Sequence, residues 1–200
     1  GGNGVNVHER LLVCLTTLVL AAAAFSALGT PTGVAGYAGS QACAGCHASE
    51  FSAWRGSHHD LAMAEPSEES MLGDFADAKF TSHGVTSTFF RRDGGWFVRT
   101  DGPDGQLHDY RIAYTFGWYP LQQYLVEFPR GHLQSLGLAW DSRPQAQEGQ
   151  RWFHLYPDEE RMRHGHPLHW TSRDQTWNYQ CAECHSTALE KNYDLETDTY

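Results

Sequence analysis

Residues 40–63, SQACAGCHASEFSAWRGSHHDLAM, are the stretch around which we expect the chain to be organised. They contain Cys43-x-x-Cys46-His47. Two thiols three residues apart lie on one face of a helical turn, where they can add to the two vinyl groups of a haem while the adjacent histidine is carried under the iron. This spacing is typical of c-type haem attachment.

The same arrangement recurs near the other end of the chain, as Cys181-x-x-Cys184-His185. Both cysteine pairs are followed directly by histidine, which makes a chance match improbable. The sequence therefore predicts two covalently attached c-type haems. In each, the motif histidine, His47 or His185, is expected to be the proximal iron ligand.

Two other kinds of site use paired cysteines. All four cysteines could form one thiolate zinc site in an interaction scaffold, although zinc ribbons usually place their pairs about 15 to 20 residues apart, and a whole region separates these two. A thioredoxin-type redox pair needs a βαβ context and has no use for the following histidine. Haem attachment is the favoured interpretation, and the zinc scaffold remains an alternative.

The composition limits the partners that we expect. The formal net charge is −10 at pH 7, which argues against binding to a nucleic-acid backbone and favours basic redox partner proteins or small diffusible reductants. Seven Trp, nine Tyr and ten Phe would suit the walls of a haem pocket, but they would equally suit a β-rich core.

The N-terminal region predicts export. An uncharged apolar run at residues 11–29 follows His8-Glu9-Arg10, and it ends in small residues suited to cleavage. Its leucine-rich part is short for a membrane span. We therefore expect residues 1–36 to be a signal sequence and linker that sends the protein to the periplasm, with a retained membrane anchor as the alternative.

The remaining chain predicts helix at both ends and strands between them. Helical spacing of apolar residues predicts a helix over about residues 48–63, and an acidic run predicts the first turn of another at residues 157–160. Short segments in which apolar and polar residues alternate, separated by Asp-Gly turns, predict a β-meander in the region 80–156. Its predicted strands are at residues 85–92, 96–100, 107–116, 121–128, 133–140 and 151–156.

The chain resembles the multihaem c-type cytochromes with repeated Cys-x-x-Cys-His motifs, of the tetrahaem group found in nitrogen and sulfur metabolism. The likeness is carried by residues 37–47, with Trp54, Ser57-His58 and Ala62-Met63 after them. It is also similar to members with a tetratricopeptide-repeat region further on. The segments that carry this second likeness are residues 120–124, 151–157 and 181–187.

The resemblance covers residues 37–200 and implies a multihaem cytochrome c domain. Because such relatives carry more than two haem motifs, we expect this chain to be an N-terminal fragment, with further haem motifs or repeats C-terminal to it. The expected fold class is α+β, in which haem-binding helical and loop segments flank a β-meander lobe after the signal sequence. The expected parts are residues 37–66, 80–156 and 157–200.

The sixth ligand of each iron decides between a carrier and an enzyme. The family-like Ser57-His58 makes His58 the first candidate, and His169, which leads into the second motif, is the second. On an unbroken helix His58 would lie about 16 Å from His47 along the axis, so either Gly56 breaks the helix or His58 reaches another haem. The reserves are His59, His83, His154 and, as a competing ligand type, Met63.

We expect electron transfer by closely packed six-coordinate haems, rather than enzymatic turnover. The alternative is an oxidoreductase in which one haem keeps an open face for a small nitrogen or sulfur compound. No sequence feature indicates which compound such an enzyme would act on.

Overall fold

An antiparallel sheet of nine strands dominates the computed structural model, which describes residues 38–187 and 189–200. The strands are β1 (Met63–Ala64), β2 (Ala78–Ser82), β3 (Val85–Arg92), β4 (Gly95–Asp101), β5 (Leu107–Phe116), β6 (Leu121–Glu127), β7 (Leu133–Ser135), β8 (Leu138–Asp141) and β9 (Arg151–His154). Their order is β2-β3-β4-β5-β6-β8-β9, with β1 beside β5 and β7 beside β6. The predicted signal sequence lies outside the described residues.

The chain divides into two units, with the boundary between Ser52 and Ala53. The sheet and the second haem motif belong to the second unit, and the first haem motif belongs to the first. Among residues 38–187 and 189–200, no helix has the length and apolar character needed to cross a membrane.

In the described residues, α-helix is confined to α1 (Ala48–Trp54) and α2 (Ala182–His185). Tighter or wider helical turns occur at Ser40–Cys43, Pro129–Gly131, Gln145–Gln147, Arg173–Gln175 and, as a π-helical turn, Trp177–Cys181. The expected α+β class was therefore wrong, because the described chain is mostly sheet and its second haem motif packs on that sheet instead of forming a separate helical flank.

The two helices expected from the sequence, over residues 48–63 and from residues 157–160, are shortened or absent for local reasons. The helix expected over residues 48–63 ends at Trp54, because Gly56 adopts a left-handed conformation with φ +72°. Residues 157–160 form turns and bends instead of a helix. The segment that follows them, residues 161–167, offers no apolar stripe, and one acidic turn does not nucleate a helix by itself.

Two-residue turns join the first strands of the meander. His83-Gly84 connects β2 to β3, and Asp93-Gly94 connects β3 to β4. All four residues have positive φ, between 51° and 78°, as a type I′ hairpin turn requires. The strands predicted at residues 85–92 and 107–116 are confirmed with those bounds, whereas the predicted strand at 133–140 is split into β7 and β8.

A bulge in β5 changes which of its residues are buried. The sequence alternation would place Tyr110, Ile112, Tyr114 and Phe116 together on the buried face. The register against β6 shifts between Ile112 and Tyr114, and the fully buried residues of β5 are Ile112 and Thr115. An inserted residue moves all later side chains to the other face, so Phe116 is left facing a cavity.

Aromatic side chains fill the core between β3, β6 and β9. The rings of Phe89 and Trp152 are stacked with their centroids 3.4 Å apart, and Phe75 contacts Trp152 edge to face at 5.5 Å. The Trp152 indole N–H donates to the carbonyl of Asp74 at 3.1 Å. Much of the aromatic content of the chain is thus accounted for by the sheet core.

Candidate haem sites

The first motif is a helical turn with accessible thiols. The amide N–H groups of Cys46 and His47 donate to the carbonyl of Cys43 at 3.3 and 2.9 Å, and Phe51 N–H donates to the carbonyl of His47 at 2.9 Å. The turn therefore runs without interruption into α1. Cys43 and Cys46 are free and exposed, so both thiols are available for attachment.

The second motif is also helical but is partly buried. Cys181 closes the π-helical turn, and Cys184 and His185 lie in α2. Both cysteines are free, with Cys184 exposed and Cys181 partly buried. Burial raises the pKa of the Cys181 thiol. The His185 ring meets Phe116 edge to face, with their centroids 4.8 Å apart.

Apolar packing and one asparagine fix this second motif on the sheet. Trp177 and Ala182 are buried with Leu125 of β6. The Asn178 side chain accepts a hydrogen bond from the amide of Leu133 at 2.9 Å and donates to the carbonyl of Gly131 at 2.8 Å. The turn before Cys181 is therefore held by β6 and β7, which gives the motif a fixed orientation.

A cavity of about 530 Å³ adjoins the second motif at Cys181 and Phe116. Its volume lies within the range of about 300 to 1,000 Å³ that small-molecule and cofactor sites occupy. Its walls combine apolar side chains, among them Leu136, Leu138 and Leu155, with titratable groups. These groups are His83, Asp101, His154, Tyr156, Glu159, Glu160, Arg161, His169 and Cys181.

His169, the second candidate for a sixth ligand, is part of a buried hydrogen-bond network. Its Nε2 lies 3.3 Å from Asp101 Oδ2, and its Nδ1 lies 2.8 Å from Thr171 Oγ1. Arg161 also pairs with Asp101 at 3.3 Å. Burial alone would raise the pKa of Asp101, but the hydrogen bond and charge of His169, with Arg161, outweigh it and hold that pKa below its usual range.

His58, the first candidate, and its neighbour His59 lie in turns after Gly56 and are exposed. The His58 ring lies 5.5 Å from the ring of Tyr119. Neither histidine lines the cavity beside the second motif. Met63 is in β1 and packs in the apolar cluster that also holds Phe116 and Cys181.

Two of the reserve histidines are brought together in the cavity wall. The rings of His83 and His154 meet edge to face with their centroids 4.6 Å apart. Burial, followed by the neighbouring His83, lowers the pKa of His154. Sequence reasoning ranked these two low, because 71 positions separate them and no local pattern links them.

The donor set of the second motif fits a covalent haem. The motif supplies two free thiols and a histidine, and its Cys181 lines a cavity that is also lined by His83, whose buried Nε2 has no hydrogen-bond partner. Among residues 38–187 and 189–200, no group of three or more His, Cys, Asp or Glu side chains has the geometry to hold a metal ion by itself.

A comparison with known protein families supports the assignment of the first motif as a haem attachment site. Residues 42–88 match the family described as cytochrome c554 and c-prime, which is less than a quarter of the chain. The matched segment contains Cys43, Cys46 and His47 and extends past His83. No curated protein and no solved structure matches the chain. The family match supports a c-type cytochrome, with covalently bound haem c and a role in electron transfer.

Proposed function

We propose that this protein is an exported multihaem cytochrome that passes electrons between redox partner proteins through one haem on each motif. The observation that carries the proposal is the repetition of Cys-x-x-Cys-His in two helical turns whose four cysteines are free. The family match at the first of these turns supports the same conclusion.

The side chains have distinct roles in this proposal. Cys43 and Cys46 would hold one macrocycle and Cys181 and Cys184 another, and His47 and His185 would be the proximal ligands of their irons. A bound haem supplies the one-electron redox change. At the second motif, packing of Trp177 and Ala182 against Leu125 holds the attachment site in place and excludes water behind it.

The proposed partners and compartment follow from charge and from the N-terminal sequence. A formal charge of −10 favours a basic redox partner, whose encounter would be accelerated at low ionic strength. The apolar run at residues 11–29 supports export to the periplasm, or anchoring in the membrane if the run is retained.

An oxidoreductase is the second candidate function, and the cavity beside Cys181 is what favours it. A space of about 530 Å³ lined by several titratable groups would admit a small nitrogen or sulfur compound to the second haem. Such an enzyme would need one iron with an open face.

Optical spectra of protein produced with a c-haem maturation system separate these functions. A carrier should show two covalent haems that are reversibly reduced, remain low-spin and do not bind carbon monoxide. A high-spin haem that binds carbon monoxide would favour the oxidoreductase. Protein without haem but with bound zinc would contradict both and identify the scaffold.

Matched cysteine variants assign the haems. Cys43→Ser/Cys46→Ser and Cys181→Ser/Cys184→Ser should each leave one covalent haem, because each thiol pair fixes one macrocycle. If either variant keeps both haems, the assignment of that motif is wrong.

A further inference from the structure

Three histidines line the cavity beside the second motif, and their ring nitrogens differ in what they contact. In His169 both nitrogens are engaged, Nε2 with Asp101 at 3.3 Å and Nδ1 with Thr171 at 2.8 Å. A ring held in this way would have to give up a buried ion-pair contact before it could bind iron.

A backbone hydrogen bond orients the His154 ring and occupies the lone pair of its Nδ1. Its Nδ1 accepts a hydrogen bond from the amide of Tyr156 at 3.0 Å. A neutral imidazole that accepts at Nδ1 carries its proton at Nε2. The Nε2 of His154 is therefore a donor, and it has no lone pair to offer a metal.

His83 has the opposite arrangement. Its Nε2 is buried and has no hydrogen-bond partner, while its Nδ1 lies 3.4 Å from Ser82 Oγ. A metal-binding histidine characteristically leaves one nitrogen free and donates the other N–H to a nearby oxygen. A buried nitrogen without a partner is destabilising unless something else binds it.

The hairpin places His83 in a turn position that the sheet makes rigid. Type I′ turns favour Asn or Asp before glycine, as in Asp93-Gly94 of the next hairpin, yet this turn has histidine at φ +51°. β3 holds the turn from one side, and His154 at the end of β9 packs edge-on against the ring. The imidazole is thus held by its neighbours at the cavity wall.

We infer that His83 Nε2 is the sixth ligand to the iron of the haem carried by Cys181, Cys184 and His185. The inference rests on the proposed haem attachment at the second motif, whose Cys181 lines the same cavity and whose His185 packs on Phe116, another residue of the cavity wall. It makes the second haem six-coordinate, with two histidine ligands, and it assigns His154 the role of holding the His83 ring in position.

The test uses His83→Gly in the full chain with both haems. Glycine adopts φ +51° without strain, so the hairpin should be retained. We expect one of the two haems to become high-spin and to bind carbon monoxide, and added imidazole to restore the low-spin spectrum. His164→Ala, an exposed histidine that does not line the cavity, is the control and should leave both haems low-spin.

The same substitution in the Cys43→Ser/Cys46→Ser background isolates the second haem. The inference predicts complete conversion of that single haem to the high-spin form. A haem that stays low-spin after His83→Gly would overturn the inference, as would a wild-type second haem that already binds carbon monoxide. Covalent haem content, measured in parallel as the pyridine haemochrome, distinguishes these results from a failure of attachment itself.

Discussion

The two haem motifs have the same local spacing but different surroundings. The first is a short helical turn whose thiols are both exposed. The second is fixed to a nine-stranded sheet, with Cys181 partly buried beside a cavity. The spacing Cys-x-x-Cys-His is thus shared by both copies, whereas the sheet around the second copy would determine which side chains could face a haem bound there.

If the second motif depends on the sheet, damage to the sheet core should have the largest effect on the protein. Trp152→Ala removes a ring that stacks on Phe89 at 3.4 Å and donates to the Asp74 carbonyl. The free energy of unfolding should fall by about 3 to 5 kcal/mol. Denaturant titration followed by tryptophan fluorescence measures it.

Trp54→Ala is the matched control from the helix that follows the first motif. Trp54 is 39% exposed, so its replacement should cost less than about 1 kcal/mol. An equal loss of stability in the two variants would contradict the contrast between the surroundings of the motifs.

Alanine substitutions at two glycines compare the packing of the sheet core with that of the first motif, with a smaller expected effect. A Cβ at Gly73 would lie 2.6 Å from Tyr124 Oη and 2.8 Å from Trp152 Cζ2, so Gly73→Ala should destabilise the protein by about 1 to 3 kcal/mol. A Cβ at Gly45, inside the first motif, meets nothing within 4 Å.

Gly45→Ala should therefore change the unfolding free energy by no more than about 0.5 kcal/mol. Thermal melts of the two variants make the comparison. If Gly45→Ala is the more destabilised of the two, the first motif is more tightly packed than its exposure indicates.

The smallest expected effect is electrostatic. His169 and Arg161 hold the pKa of Asp101 below its usual range, so the stabilisation is present above about pH 4, the ordinary value for aspartate, and is lost as the pH falls through the lowered value. Asp101→Asn should cost about 1 kcal/mol at pH 7. The difference from wild type should shrink below pH 4.

Glu50→Gln in α1 is the control for this pH dependence. Its carboxylate is exposed, and a backbone hydrogen bond, with Ser49, lowers its pKa. Solvent screens this group, so the acid unfolding midpoint should not move. Urea titrations at several pH values test both variants, and a constant Asp101→Asn difference down to pH 3 would contradict the assigned pKa direction.

Local patterns predicted the parts of this protein that depend on neighbouring residues. The haem motifs and the Asp93-Gly94 hairpin are each specified within a few positions, and β3, which leads into that hairpin, has the predicted bounds 85–92. The long first helix failed at Gly56, where a left-handed glycine outweighed the apolar spacing. The bulge in β5 reversed an alternation that the sequence shows clearly.

The cavity and its histidines could not be predicted in this way. His83, His154 and Cys181 come from distant parts of the chain and line one cavity because the β2–β3 turn, β9 and the π-helical turn all border it. The state of each ring nitrogen depends on partners such as Tyr156 and Thr171 that no sequence pattern singles out. His83 was therefore ranked below His58 and His169 on sequence alone.

Peptide mass spectrometry of the matured protein tests most directly the claim that both motifs carry haem. After proteolysis, we expect one haem adduct on the peptide containing Cys43 and Cys46 and another on the peptide containing Cys181 and Cys184. Finding the second peptide with two unmodified thiols, while the first carries haem, would contradict the claim and, with it, the assignment of His83 as an iron ligand.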